Sequence, residues 1–259
     1  MWVRYLVWFG FYLLAALECA GRLASLAIDR TAFGDYLLYI FGGMKEYIPV
    51  PGKPIQIPYL WLLGHIGVLY FTLHYMYDDL AGVGRQMILR SGSRTAWWLS
   101  KCVWNCAAVC VFYLIAWGIV ALCAWMSGVR WSFAISPFMT ELMDAGPKLI
   151  SGSTWDIALE LTLMPLLVTL AMSLFQMALC LLLRPVASYV CSVVIFLAST
   201  YYLSPLLIGN YAMALRSGKV ISNGVHLLTG IGFSAALIIG SAVLGAVIFR
   251  NYDILNKGD

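Results

Sequence analysis

Residues 102–127 read CVWNCAAVCVFYLIAWGIVALCAWMS, a run without a single Asp, Glu, Lys or Arg. As an α-helix these residues would be about 39 Å long, more than the ~30 Å hydrocarbon core of a bilayer. The run therefore predicts a membrane-spanning helix. The whole chain has the same character, because 62% of its 259 residues are hydrophobic, 11% are charged and the mean hydropathy is +0.86. This composition excludes a water-soluble globular domain.

Five further apolar runs of similar length surround this one. Each is close to the ~20 residues that a transmembrane helix needs. No soluble domain fits between them, so the chain is expected to be one all-α, polytopic transmembrane domain over residues 1–259. Its six-helix bundle is predicted to contain spans at about 5–27, 59–77, 102–127, 157–183, 186–208 and 225–249.

The distribution of Lys and Arg predicts the orientation of the bundle. With the N-terminus inside, the short inner segments contain eight basic residues, whereas the outer side contains seven in nearly twice the length. Positive residues concentrate on the cytoplasmic side, so both termini are expected to be cytoplasmic. An alternative for the first run is a secretory signal peptide with Arg4 as its charged flank, but Glu18 directly before Cys19 disagrees with a lipoprotein cleavage site.

Signatures of catalysis and of metal binding are missing from the sequence. It contains no HExxH, no GxSxG and no GxxxxGK[ST] phosphate loop. The three histidines, His65, His74 and His226, are dispersed, so no catalytic residue, cofactor or metal ligand is expected in this chain. The formal charge of +4 is too mild and too scattered to indicate nucleic-acid binding.

The cysteines all lie in apolar runs, where they read as small core residues. Cys102, Cys106 and Cys110 are spaced four apart and form one stripe of the third span. A soft-metal site is one interpretation of this stripe, and packing between helices is the favoured one.

Four polar side chains inside the predicted spans are candidates for a substrate path or a subunit interface. Glu18 and Arg22 form an i,i+4 pair in the first span, which either faces a path or neighbour, or snorkels to the outer interface. Asn105 and Gln176 carry amides that can bond between helices. Glu160 reads as an interfacial carboxylate.

Small-xxx-small pairs in the last span predict a close helix interface, and they are Gly230 with Ser234, Ala236 with Gly240, and Ser241 with Gly245.

The connection at 78–101, DDLAGVGRQMILRSGSRTAWWLSK, is longer than a turn needs and carries four of the eight inner positive charges. Its pattern predicts a short amphipathic helix over Asp79 to Arg90, ended by the Ser-Gly-Ser at 91–93, with Ser93 capping the third span. Such a helix suits a groove on a soluble partner. The alternative is an interfacial helix whose arginines contact anionic lipid headgroups.

A family resemblance favours the first of these interpretations. RSGSR at 90–94 followed by WWLSK at 97–101 resembles the turn after the second span in permease subunits of bacterial ABC-2 type transporters. SPLLIGNY at 204–211 and IFRNYDIL at 248–255 are similar to the family around its last span. The resemblance covers the six-span layout over nearly the whole chain, through soft patterns and not catalytic signatures.

The resemblance implies a multi-pass subunit of the bacterial plasma membrane, working with a second permease subunit, identical or sister, and with two ABC ATPase subunits. ATP and Mg²⁺ would bind in the ATPase, so this chain is not expected to be an enzyme by itself. A coupling helix between the second and third spans would dock the ATPase, and residues 79–90 lie in that place. The connection at 203–224 resembles the family's re-entrant gate. The docking residues implied are Asp79, Leu80, Val83, Arg85, Gln86, Met87, Leu89, Arg90 and Arg94.

The expected function is export of an amphipathic or hydrophobic substrate. Small six-span members of the family are often linked to export of antimicrobial peptides or to self-immunity against them, and the cargo expectation is by that analogy. Two alternatives stay open. A membrane-embedded enzyme predicts that Glu18, Arg22 and some histidines converge in one cavity, whereas a ligand-capturing subunit or sensor predicts that no ATPase associates.

Overall fold

The computed structural model describes residues 2–24, 26, 31–49, 52, 56–82, 84, 86, 88, 93–145 and 153–252. Within these residues the fold is all-helical, with no β-strand and two isolated bridges between loops. The α-helices are α1 Trp2–Leu23, α2 Phe33–Phe41, α3 Tyr59–Thr72, α4 Tyr75–Ala81, α5 Arg94–Met126, α6 Pro137–Leu142, α7 Thr154–Leu161, α8 Leu163–Leu179, α9 Pro185–Tyr201 and α10 Leu227–Arg250.

Four helical stretches are long and apolar enough to cross a membrane. They are Val3–Leu23, Arg94–Met126, Thr154–Leu179 and Leu227–Arg250. Two shorter apolar helices, α3 and α9, lie at the other two predicted spans with 14 and 17 residues. The membrane-helix character predicted from composition is therefore confirmed, with four helices of full length and two shorter ones among the described residues.

The helix boundaries differ from the predicted spans for local reasons. α5, at the third predicted span, starts at Arg94, eight residues before the predicted start of that span. The Ser93 hydroxyl accepts a hydrogen bond from the N–H of Ala96 and so caps α5 as expected. α3, at the second predicted span, ends at Thr72 and not at 77. α9, at the fifth predicted span, ends at Tyr201 and not at 208. Ser204 and Pro205 follow that end, and proline cannot continue a helix.

The predicted fourth span, 157–183, divides into α7 and α8 at Thr162 and ends at Leu179. Pro165 has no N–H to give the carbonyl of Leu161, four residues earlier, so the ladder loses a bond at this point. The helices near the chain ends shift by only a few residues, to Trp2–Leu23 for 5–27 and to Leu227–Arg250 for 225–249.

The bundle is organised around α8, which contacts α3, α5, α9 and α10. α10 packs on α5 through a glycine, because Gly245 lies against the indole of Trp98 and a Cβ at Gly245 would collide with that ring. The Trp98 Nε1 donates to the carbonyl of Ala242 at 2.8 Å. Two of the predicted small-residue pairs, Gly230 with Ser234 and Ser241 with Gly245, are buried, whereas Ala236 is exposed.

The two ends of α5 define the two ends of the bundle. At its last residues, the loop after α5 bonds to the start of α2, for example from the N–H of Phe33 to the carbonyl of Arg130 at 3.0 Å. We call this the α2 end, and it also includes the connection at 202–226. The first residues of α5 lie beside α4 and the last turn of α10, which we call the α4 end. By the predicted orientation, the α4 end is cytoplasmic.

A buried carboxylate organises the α2 end. Asp35 accepts the N–H of Ala32 at 2.9 Å and the N–H of Ser136 at 2.7 Å, which joins α2 to the loop before α6. Burial raises the pKa of the Asp35 carboxyl, and these hydrogen bonds oppose that rise. α2 was not predicted, since nine residues are too few for a span.

Candidate functional site

The predicted coupling segment follows α3 at the α4 end. Its helix begins at Tyr75 and not at Asp79, and it stops at Gly82, whose φ of −113° and ψ of −127° leave the helical region. The helix thus starts four residues earlier than the predicted Asp79 and is interrupted at Gly82, and Gly84, Gln86 and Ile88 beyond the interruption are helical again. Of the predicted docking residues, Val83, Arg85, Met87, Leu89 and Arg90 lie outside the described residues.

Asp79 is paired with α5 at this end. Its Oδ2 lies 2.8 Å from the Nζ of Lys101, which also donates to the hydroxyl of Tyr75 at 3.2 Å. The same ammonium lies 5.0 Å from the ring centroid of Tyr75 and 5.2 Å from that of Trp97. We call Tyr75, Asp79, Trp97 and Lys101 the Lys101 cluster. Because Lys101 is only 9% exposed, its pairing with Asp79 is shielded from water and fixes α4 on α5.

Arg94 joins α5 to the end of α10. Its Nη1 donates to the carbonyl of Arg250 at 3.0 Å and to that of Tyr252 at 2.8 Å. These are carbonyls that a helix leaves unpaired at its C-terminus, where a cation is also favoured by the helix dipole. Leu80 packs on a buried apolar cluster, and Gln86 is exposed. Asp79 thus joins α4 to α5, and Arg94 joins the start of α5 to the end of α10.

Glu18 and Arg22 form a half-exposed cluster at the α2 end. Arg22 Nη2 lies 3.0 Å from Glu18 Oε1, as the i,i+4 spacing predicted. Glu18 also accepts the hydroxyl of Tyr39 at 2.7 Å and that of Tyr59 at 3.1 Å. The cluster thus connects α1, α2 and α3 beside a cavity of about 100 Å³ lined by Tyr39, Tyr59 and Trp61. Its part in a substrate path stays a prediction.

Asn105 and Gln176 are buried and bond between helices. Asn105 Nδ2 donates to Ser173 Oγ at 3.0 Å, which joins α5 to α8, and Gln176 Nε2 donates to the carbonyl of Leu69 at 3.0 Å, which joins α8 to α3. Such bonds stabilise helix association in an apolar solvent. Their observed contacts fit helix packing, and a role in a path is untested.

The histidines and cysteines do not form a shared site in the part of the chain that is described. His65 is buried between the rings of Trp61 and Phe196, at centroid distances of 4.6 and 5.1 Å, and its Nδ1 lies 2.8 Å from the carbonyl of Trp61. His226 lies beside Gly218. The cysteines are free, and no group of three His, Cys, Asp or Glu residues within the described ranges is placed to bind a metal ion.

Arg216 was not singled out from the sequence, yet its side chain donates hydrogen bonds to six acceptors. It lies in the connection between α9 and α10, in the second of two 3-10 helices, Ile208–Ala212 and Ala214–Arg216, and it is fully buried. Burial lowers the pKa of its guanidinium to about 10. Its acceptors are all neutral, namely the carbonyls of Met44, Lys45, Ser199, Thr200 and Tyr202 and the Oδ1 of Asn210.

These bonds make the connection at 202–226 a compact structure. Asn210 Nδ2 donates to the carbonyls of Tyr202 and Ser204 at 3.0 and 2.9 Å, and Trp61 Nε1 donates to that of Ala212 at 3.0 Å. The middle of the segment that resembles a re-entrant gate, residues 208–216, is therefore largely buried 3-10 helix that is bonded to α3 and α9. No local sequence signal marks Arg216, because its acceptors come from three separate parts of the chain.

The comparison with known families covers nearly all of this architecture. Residues 22–255 match DUF2705, a family described as a protein of unknown function, and the match extends from the last turn of α1 beyond the end of α10. No curated protein and no solved structure matches the chain. The chain belongs to the DUF2705 family.

Proposed function

We propose that this chain is the transmembrane permease subunit of an ATP-driven ABC exporter of the bacterial plasma membrane. In this proposal the four long and two shorter apolar helices are six spans, and both termini are cytoplasmic. A second permease subunit and two ABC ATPase subunits complete the transporter. ATP and Mg²⁺ bind in the ATPase.

The observation that carries the proposal is the connection of α4 to α5, which is itself bonded to the end of α10. The Lys101 cluster pairs α4 with α5 through the 2.8 Å contact of Asp79 with Lys101, and Arg94 bonds the start of α5 to the end of α10. A short helix fixed in this way can transmit a displacement to the spans. A permease without its own nucleotide site needs such a cytoplasmic helix to receive the movement of the ATPase.

The cargo proposed is an amphipathic or hydrophobic peptide, for export or for self-immunity. The support is the family resemblance together with the scarcity of charges in the spans. The described spans place Glu18 with Arg22, and Asp156 with Glu160, at the α2 end and Lys101 at the α4 end, and the amides between them are bonded to other helices. A continuous path for small ions would need more polar groups along its length.

Copurification of the ATPase tests the proposal. Arg85→Glu with Arg90→Glu reverses the charge of the segment after α4, so we expect a co-expressed ABC ATPase to be lost in mild detergent while the permease stays folded. Arg184→Glu is the matched control, because Arg184 is exposed in the short turn between α8 and α9, on the same predicted side. Retention of the ATPase by the double variant would exclude docking through this segment.

A second variant separates docking from coupling. Lys101→Met removes the ammonium from Asp79 and leaves the segment after Gly82 unchanged, so the ATPase should still copurify while export in vesicles falls by at least tenfold. Normal export by Lys101→Met would show that the contact of Asp79 with Lys101 does not couple α4 to the spans. Absence of any ATPase from preparations of the unaltered protein would favour a ligand-capturing subunit.

A further inference from the structure

A cleft opens at the α2 end between the first turns of α7 and α10. Its volume is about 550 Å³, within the range of small-molecule sites. We call it the Glu160 cleft and define it by Asp156, Glu160, Ser217, Lys219, His226 and Leu228, which line it. Val225 and Leu227 add apolar surface to the wall, so the cleft is acidic on one side and apolar on the other.

Glu160 has a buried oxygen with unused bonding capacity. Its Oε1 accepts the hydroxyl of Ser217 at 2.9 Å and lies 3.1 Å from the ammonium of Lys219. Its Oε2 has no hydrogen-bond partner among the described residues, although the side chain is only 6% exposed. Leaving a buried charged oxygen unpaired costs more than leaving a neutral one. Glu160, which lines the cleft, thus has hydrogen-bonding capacity that the described residues do not use.

Lys219 shows which chemistry the cleft accepts. Its ammonium lies between two carboxylates, 3.1 Å from Glu160 and 3.3 Å from Asp156. The side chain is 31% exposed, so the contact is reversible without unfolding the cleft. Two carboxylates face one ammonium here, so the pair carries more negative charge than Lys219 neutralises and attracts cations to the cleft.

We propose that the Glu160 cleft binds a ligand that carries a primary ammonium group on an apolar body. The ligand's ammonium takes the place of the Lys219 ammonium between Glu160 and Asp156, and the apolar part lies against Val225, Leu227 and Leu228. A primary ammonium has three donors, enough for both carboxylates. The inference goes beyond the proposed export function and does not need it, since binding is a property of the permease alone.

Calorimetric titration of hexylammonium chloride into the protein in phosphatidylcholine nanodiscs tests the site, with empty nanodiscs subtracted. Lys219→Met removes the competing ammonium, so we expect hexylammonium to bind at least tenfold more tightly. Glu160→Gln removes the charge that binds it, so we expect at least a tenfold loss. The opposite signs are informative, because a change that only disturbed the fold would weaken binding in both variants.

Three controls complete the experiment. Hexanol has the same chain without the charge, and its binding should be equal in all variants. Glu141→Gln neutralises an exposed carboxylate outside the cleft and should leave hexylammonium binding unchanged. If Glu160→Gln does not fold, Asp156→Asn, whose side chain is 47% exposed, should weaken binding severalfold.

The proposal is wrong if hexylammonium binds equally to the unaltered protein and to both carboxylate variants, if Lys219→Met binds it no more tightly, or if hexanol follows the same pattern. These outcomes are distinct from a failure of ATPase docking, which is measured by copurification and does not involve the cleft.

Discussion

Replacing Arg216 by Met should destabilise the protein more than any exposed substitution of the same kind. The guanidinium has five N–H donors, and in the structure they serve six acceptors in three separate segments of the chain. Met has similar length without a donor. The variant therefore removes the bonds that connect the end of α9 and the loop after α2 to the 3-10 segment.

The size of the effect follows from two opposing contributions. Hydrogen bonds to a charged group are worth about 1.5 kcal/mol each at the low end, so the five N–H donors give about 7–8 kcal/mol in total. Burial of the cation opposes this, because its pKa falls from 12.5 to about 10, which corresponds to about 3 kcal/mol at 1.36 kcal/mol per unit. The expected net loss in the free energy of unfolding is therefore about 5 kcal/mol.

Thermal unfolding in mild detergent, followed by intrinsic tryptophan fluorescence, measures this loss. At about 2–4 °C per kcal/mol, the midpoint of Arg216→Met should fall by more than about 10 °C. Arg216→Lys retains the charge with three donors and should fall about half as far. Arg184→Met is the control for an exposed arginine. Equal midpoints for Arg216→Met and Arg184→Met would refute the reasoning.

Three further predictions concern other parts of the fold. Burial raises the pKa of Asp35, so the folded state binds the proton of this carboxyl more tightly than the unfolded state does. The unaltered protein should therefore gain stability relative to Asp35→Asn as the pH falls from 7 towards 4. A difference in denaturation midpoints that does not change with pH would contradict this. Gly245→Ala should cost about 1–3 kcal/mol against the Trp98 ring, whereas Gly240→Ala, which meets no atom, should gain about 0.5–1 kcal/mol in the same melting assay. A cysteine at Ser153, exposed at the start of α7, should react with a membrane-impermeant thiol reagent in intact cells, and labelling only after permeabilisation would invert the topology.

The apolar runs predicted where the long helices lie, because hydrophobicity over about 20 residues depends on local sequence alone. The last helix starts at Leu227 against a predicted 225. The errors are at places where a single residue decides. Pro165 divides the fourth run at Thr162, and Ser93 extends α5 towards the α4 end. α2 is too short to stand out as a hydrophobic run, and its position depends on the bonds of Asp35 to distant backbone.

The candidate site was less predictable than the fold, because polar side chains in helices find partners far away in sequence. The spacing of Glu18 and Arg22 predicted their contact, since an i,i+4 pair is fixed by helix geometry. Asp79 meets Lys101, and Arg94 meets the carbonyl of Arg250, 156 residues away. Neither contact follows from spacing, since both depend on how the helices pack.

Three buried polar groups at the α2 end, Arg216, Asp35 and Glu160, differ in how much of their hydrogen-bonding capacity the described residues use. Arg216 and Asp35 are buried, and their hydrogen bonds go to the protein itself, which explains their position without a ligand. Glu160 is buried at a comparable level, yet one of its oxygens faces no donor among the described residues, and it borders a cleft. An unpaired carboxylate oxygen is costly in an apolar environment. A cationic ligand bound in the Glu160 cleft would offset this cost, which the contacts among the described residues do not.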